Sequence, residues 1–245
     1  MTQFAILDPK KHGQLRVSTQ RGAQYGECIN HVPIVADELE NLSLEYPVGF
    51  LKDHETGQFG MHAITGFQPN ENLFLNGNNW DATAIPLHIL RQPFVVANSD
   101  SGDEPTAASE TLLCIDLDSP RVVTEGGQCL FDNNLQATEF LNRMSSMLAT
   151  IMAGREKTEY FIQALLQQNL LEPVRLSVTD KSGPSQYFDG LYAVNKAKVD
   201  SLSDETVLKF YKSGYLKALY LVTAASGNFH KLNIRRQQKF SKGNV

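Results

Sequence analysis

What this chain lacks narrows its function before any motif is found. No apolar run approaches the roughly 20 residues that a membrane-spanning helix requires, which excludes a permease subunit. Cysteine is scarce: Cys28, Cys114 and Cys129 are the only three in 245 residues, and no two stand in CxxC spacing. That excludes a disulfide framework, a cysteine-built zinc site and a thioredoxin-like couple, and predicts a reducing compartment, the cytoplasm. Basic residues are not in excess. The 22 Lys and Arg stand against 27 Asp and Glu for a net charge of -5, so the chain is no generic polyanion binder and nucleic acid is not an expected partner. The opening MTQFAILDPKKHG has no basic flank leading into a long apolar stretch, so a cleaved secretory leader is not expected. What remains is ordinary globular composition, 42% hydrophobic and 20% charged.

The first half reads as strands. YPVGFL (46–51) and FGMHAITGF (59–67) are β-branched and aromatic, with Gly57 in the intervening KDHETGQ, which predicts a hairpin. PFVVAN (93–98) and TLLCIDLD (111–118) predict two more strands, the second apolar on both faces and therefore central in its sheet. The small acidic stretch between them, 98–110, reads as an exposed loop, because Asp100, Asp103 and Glu104 do not match a calcium-loop spacing.

Beyond residue 137 the period changes. Phe140, Leu141, Met144, Met147, Leu148, Ile151 and Met152 recur at helical spacing, with Thr138 as the N-cap. Phe161, Ile162, Leu165, Leu166 and Leu170 continue almost in phase, and Gly154 between the two runs predicts either a kink or two consecutive helices. A second hairpin is predicted at 174–195. Ser203 caps a further helix that stops at Gly214, and Gly227 divides two more helical stretches. The pattern predicts a single α+β domain over 1–245. Antiparallel strands dominate 1–135, and helices dominate 136–245, apart from the second hairpin.

Catalytic signatures are missing. His54-Glu55 opens like a zinc-protease helix, but Gln58 stands where the second histidine belongs. No nucleophile elbow, SxxK pair, dinucleotide turn or phosphate loop occurs. Neither a catalytic residue, a metal ligand nor a cofactor is therefore assigned. The richest segment is ENLFLNGNNWDATAIPLHILRQPF (71–94), which holds the only tryptophan among amides. Glu71, Asn72, Asn78, Asn79, Trp80, Asp81, Arg91 and Phe94 form the candidate binding set, since amides bond a peptide backbone in both directions around an aromatic anchor. The same pattern also fits a turn that Trp80 pins to the core, with Arg91 paired to Glu71 or Asp81. A pocket joining two or more of His31, His54, His62 and His88 to a carboxylate would favour an enzyme instead. The last sixteen residues carry Lys231, Arg235, Arg236, Lys239 and Lys242 and no acid, a +5 tail on a -10 body. A solvated helix end is the expected reading, with contact to anionic lipid or nucleic acid the alternative.

Read in order, HVPIVADE (31–38), YPVGF (46–50), ENLFLNGNNWDATAIP (71–86), RQPFVV (91–96), LLCIDLDSPRV (112–122), GQCLFD (127–132), LLEPVRLSV (170–178), GLYAVN (190–195) and LKFYKSGYLKALYLVTAASGNFHKL (208–232) resemble the SapC-like family of bacterial proteins. The resemblance implies a link to surface-layer formation. It also implies a setting beside halogenase-like and cupin-like proteins and outer-membrane receptors, and so a non-catalytic accessory or binding protein acting on a peptide or protein client. An enzyme or enzyme subunit of a peptide- or tryptophan-modification pathway is the alternative, and a structural surface-layer component a further one. The family supplies no catalytic residue set to carry over.

Overall fold

A computed structural model describes residues 3–98, 111–178 and 186–242. Most of the acidic stretch and the turn of the second hairpin lie outside the described residues. The architecture is α+β, with strands concentrated in the first half and helices in the second.

The largest sheet has five antiparallel strands in the order Leu171–Val178, Gln186–Val194, Val48–Lys52, Phe59–Ile64, His31–Pro33. Both predicted hairpins are therefore present, and they lie side by side through Leu191 opposite Leu51 and Tyr192 opposite Phe50. A second sheet has three strands, Phe4–Ile6, Thr111–Asp116 and Phe94–Asn98, with Thr111–Asp116 in the middle as its two apolar faces require.

One helix, Glu139–Gln167, links two hydrophobic clusters. Thr138 caps it, its Oγ1 accepting from Leu141 N at 3.3 Å. Phe140, Leu141, Met144 and Leu148 pack with Phe94 and Ile115 of the three-stranded sheet. Phe161, Ile162 and Leu165 pack with Phe50, Met61 and Ile64 of the five-stranded sheet. Of the two outcomes predicted at Gly154, two consecutive helices are not found: Glu139–Gln167 is one continuous helix. The glycine is used for close approach, because a Cβ there would lie 2.8 Å from the Val35 side chain. Thr158 Oγ1, one turn on, accepts from Ala36 N at 2.8 Å and donates to Gly154 O at 2.6 Å. Ser203, Gly214 and Gly227 stand at the predicted boundaries of Asp204–Lys212, Tyr215–Ala225 and Asn228–Lys242.

Candidate functional site

The amide-rich segment divides into parts with different tasks. Leu75–Asn76 and Asn79–Trp80 pair as a two-residue hairpin, with Gly77 at positive φ in its turn. Asn78, Asn79 and Asp81 are exposed around that tip. Trp80 is buried, and its indole N–H donates to Tyr46 Oη at 2.7 Å; that hydroxyl donates in turn to Ala84 O at 2.7 Å. Asn72 is also buried, its amide donating to Glu27 O and accepting from Phe74 N. Phe94 lies in the smaller cluster.

The terminal helix corrects two expectations. Its two arginines do not stand free in solvent, although Lys231 and Lys239 are exposed. Arg236 is buried against Glu71 (3.3 Å), Arg235 bonds Asp81 (2.6 Å) and covers the Phe74 ring, and Lys239 donates to Asn72 O and Leu75 O. Arg91 therefore pairs with neither Glu71 nor Asp81. It donates instead to Phe94 O at 2.6 Å and to His88 Nδ1 at 3.3 Å. The tail is drawn onto the acids of segment 71–81 by opposite charge, and the apolar stems of its arginines cover aromatic rings there.

Three of the four histidines meet. His31 and His62 pack edge to face at 5.0 Å between adjacent strands, and His88 lies close enough for its charge to bear on His62. The charges that bear on His62 and His88 are cationic. Burial, then His31, pushes His62 down to about 4; burial, then Arg91 and Arg155, does the same to His88. His54 lies apart in an exposed turn. The nearby acid of the same region, Glu38, is occupied by Val35 N and Leu87 N, and burial raises its pKa. Among the described residues no group of three or more potential metal ligands converges.

Arg91 leads to a concavity among the described residues, a cleft of about 1020 Å³. Arg91, Gln92, Pro93 and Val95 line one wall, and Asp116, Asp118, Ser119 and Pro120 a second; Phe4 and the loop Ala23–Gly26 complete it. None of Glu71, Asn72, Asn78, Asn79, Trp80 and Asp81 lines it. A rigid base supports it. Glu27, fully buried, accepts from Arg121 (2.5 Å), Arg21 (2.7 Å) and Gly22 N (2.8 Å). Arg121 further donates to Gln20 O and Gln92 Oε1 and lies over the Tyr25 ring at 4.6 Å. Both rim carboxylates accept only backbone N–H groups among the described bonds: Asp116 from Asp118 N and Asp118 from Gln3 N. Neither belongs to a described ion pair, so the rim offers negative charge to a ligand.

Sequence reasoning reached Arg91 and missed Asp116, Asp118, Tyr25, Glu27 and Arg121. A signal was present: the walls are the segments RQPFVV and LLCIDLDSPRV, two of those that carry the family likeness. A family model, SapC, matches residues 7–232. No curated protein and no solved structure matches the chain.

Proposed function

The chain belongs to the SapC family, and we propose that it acts there as a non-catalytic accessory protein that holds a peptide or protein client in the cleft between residues 91–95 and 116–120. One observation carries this reading. The cleft has the composition of a peptide site: an aromatic ring, prolines and a valine for side chains, Gln92 and Ser119 for backbone groups, and rim charges for orientation. It sits on a buried ionic base that fixes its shape before a ligand arrives, which lowers the ordering cost of binding. His88 lies behind Arg91, and among the described bonds no carboxylate meets His31, His62 or His88 to orient a histidine base.

The compartment proposed is the cytoplasm, supported by three cysteines that are all unpaired, with Cys114 buried in a strand. No helix among the described residues is long and apolar enough to cross a membrane. Halogenase-like or cupin-like proteins, and surface-layer precursors, are the client classes to try first.

The test is an array of random fifteen-residue peptides incubated with the purified protein. A defined subset should bind, bound peptides should be recovered unchanged in mass, and Asp118→Arg should erase the subset while Asn78→Ala with Asn79→Ala preserves it. No bound subset, or one insensitive to Asp118→Arg, overturns the cleft. Peptides recovered with altered mass give the site to an enzyme.

A further inference from the structure

The three-stranded sheet buries one face beneath the long helix, and on the other its middle strand is buried at Cys114 while the outer strand stands exposed. Ala5, Ile115 and Phe94 share a register row, as do Leu113 and Val96, and this side points into the cluster beneath the long helix. The alternate rows bring Phe4 beside Asp116, and Ile6 beside Cys114 and Val95, on the opposite side. Phe4 and Ile6 are 56% and 54% exposed, and neither they nor Val95 join either hydrophobic cluster. Phe4, Val95 and Asp116 also line the cleft, so the open face of this sheet is continuous with it.

The edge is open too. Phe4–Ile6 is the outer strand, with no strand beyond it among the described residues. Leu117 N donates to Gln3 O and Leu7 N to Leu113 O, both at 2.9 Å, so residues 3, 5 and 7 direct their backbone groups inward to the neighbouring strand. By the alternation of an antiparallel ladder, Phe4 and Ile6 direct N–H and C=O outward. The strand carries no proline, charge or bulge of the kind that protects exposed edges.

We propose that the client binds as an extended segment that adds a fourth strand beside Phe4–Ile6, with apolar side chains on Phe4 and Ile6 and a basic side chain reaching Asp116 and Asp118. This rests on the cleft reading above and names its ligand class. Backbone bonds to Phe4 and Ile6 supply affinity, and the alternate side chains reaching the open face supply selectivity. Charge favours this occupant over a second copy of the chain. Among the described residues the rim acids have no cationic partner, and a copy would bring its own net -5 to an already acidic surface.

The probes are acetyl-Val-Thr-Lys-Thr-Val-amide, whose two valines and lysine share one face of an extended strand, the same peptide N-methylated at alternate residues, and acetyl-Val-Thr-Glu-Thr-Val-amide, each titrated into the full chain and followed by amide NMR shifts. The basic peptide should shift Phe4, Ile6 and Asp116. N-methylation should weaken it at least about tenfold by removing the ladder bonds. Ile6→Pro should do the same, since proline there deletes an outward N–H and leaves the inward ladder untouched. The acidic peptide should bind more weakly, with the gap closing at high salt. Shifts confined to the cleft that ignore N-methylation and Ile6→Pro overturn strand addition and leave the cleft reading standing. Absence of any cleft shift, together with an empty peptide array, overturns both. A dimer in sedimentation equilibrium that Ile6→Pro dissolves gives the edge to a second copy and overturns the proposal.

Discussion

Trp80 passes its single donor to Tyr46 Oη, which passes its own proton to Ala84 O, so two large aromatic side chains are buried with their polar atoms satisfied. Burial, ahead of every other influence, raises the Tyr46 pKa and keeps the phenol neutral. Trp80→Ala is expected to lower stability by about 3–5 kcal/mol, as large-to-small core changes do. Tyr46→Phe, which orphans the indole N–H, should cost about 1–3 kcal/mol. Urea unfolding monitored by far-UV circular dichroism measures both, and a loss below 1 kcal/mol for Trp80→Ala would detach this residue from the core. Glu27 poses a sharper case, because it balances Arg21 and Arg121 together. Removing one partner of a buried pair leaves a charge without compensation, at about 3–5 kcal/mol. Glu27→Gln should therefore lower the melting temperature strongly, whereas the exposed pair Glu139–Arg143 should be almost silent to the same treatment.

At the scale of elements, Gly154 and the terminal helix separate packing from propensity. Gly154→Ala would raise helix propensity by about 1 kcal/mol, yet its methyl would meet Val35 at 2.8 Å. Overpacking of that kind costs about 1–3 kcal/mol, so Gly154→Ala should destabilise, and it should do so less in a Val35→Gly background, where the Cβ and Cγ2 that the methyl meets are both gone. A stabilised single variant would show that the contact yields. The terminal helix makes two ion pairs of unequal depth. Glu71→Gln strips the buried Arg236 of its carboxylate and should lower stability by several kcal/mol, while Asp81→Asn at the exposed end should cost about 1 kcal/mol or less. Helix boundaries were legible because capping and period are local: Thr138, Ser203, Gly214 and Gly227 each act on their own neighbours. The docking of the tail was not legible, since composition gives the sign of a charge and not a partner more than 150 residues away.

The whole molecule places its cleft where distant segments meet, which is why the site was only partly legible. Arg91 could be singled out beside an unusual amide run, whereas Glu27 and Arg121 are 94 residues apart and become a unit only through the fold. The same convergence gives the protein a pH response. His31 and His62 pack edge to face, His88 bears on His62 and Arg91 and Arg155 on His88, and Gly60 O alone among the described bonds favours a charged His62. His62 and His88 fall from the usual value of 6.5 to about 4 in the folded chain. Between those limits the unfolded chain binds more protons than the folded one, so stability is lost as pH falls from about 6.5 to about 4 and levels off below that. Glu38, whose pKa burial raises, works in the opposite sense over part of the range. Three histidines, His31 being lowered by burial as well, against one raised carboxylate decide the direction. Thermal unfolding should give a lower melting temperature at pH 5 than at pH 7, and His62→Gln with His88→Gln should flatten that dependence. Because Arg91 links His88 to the cleft wall, acidification should also weaken peptide capture before the fold is lost. Array binding that is unchanged at pH 5, with the melting temperature already lowered, would uncouple the histidines from the cleft.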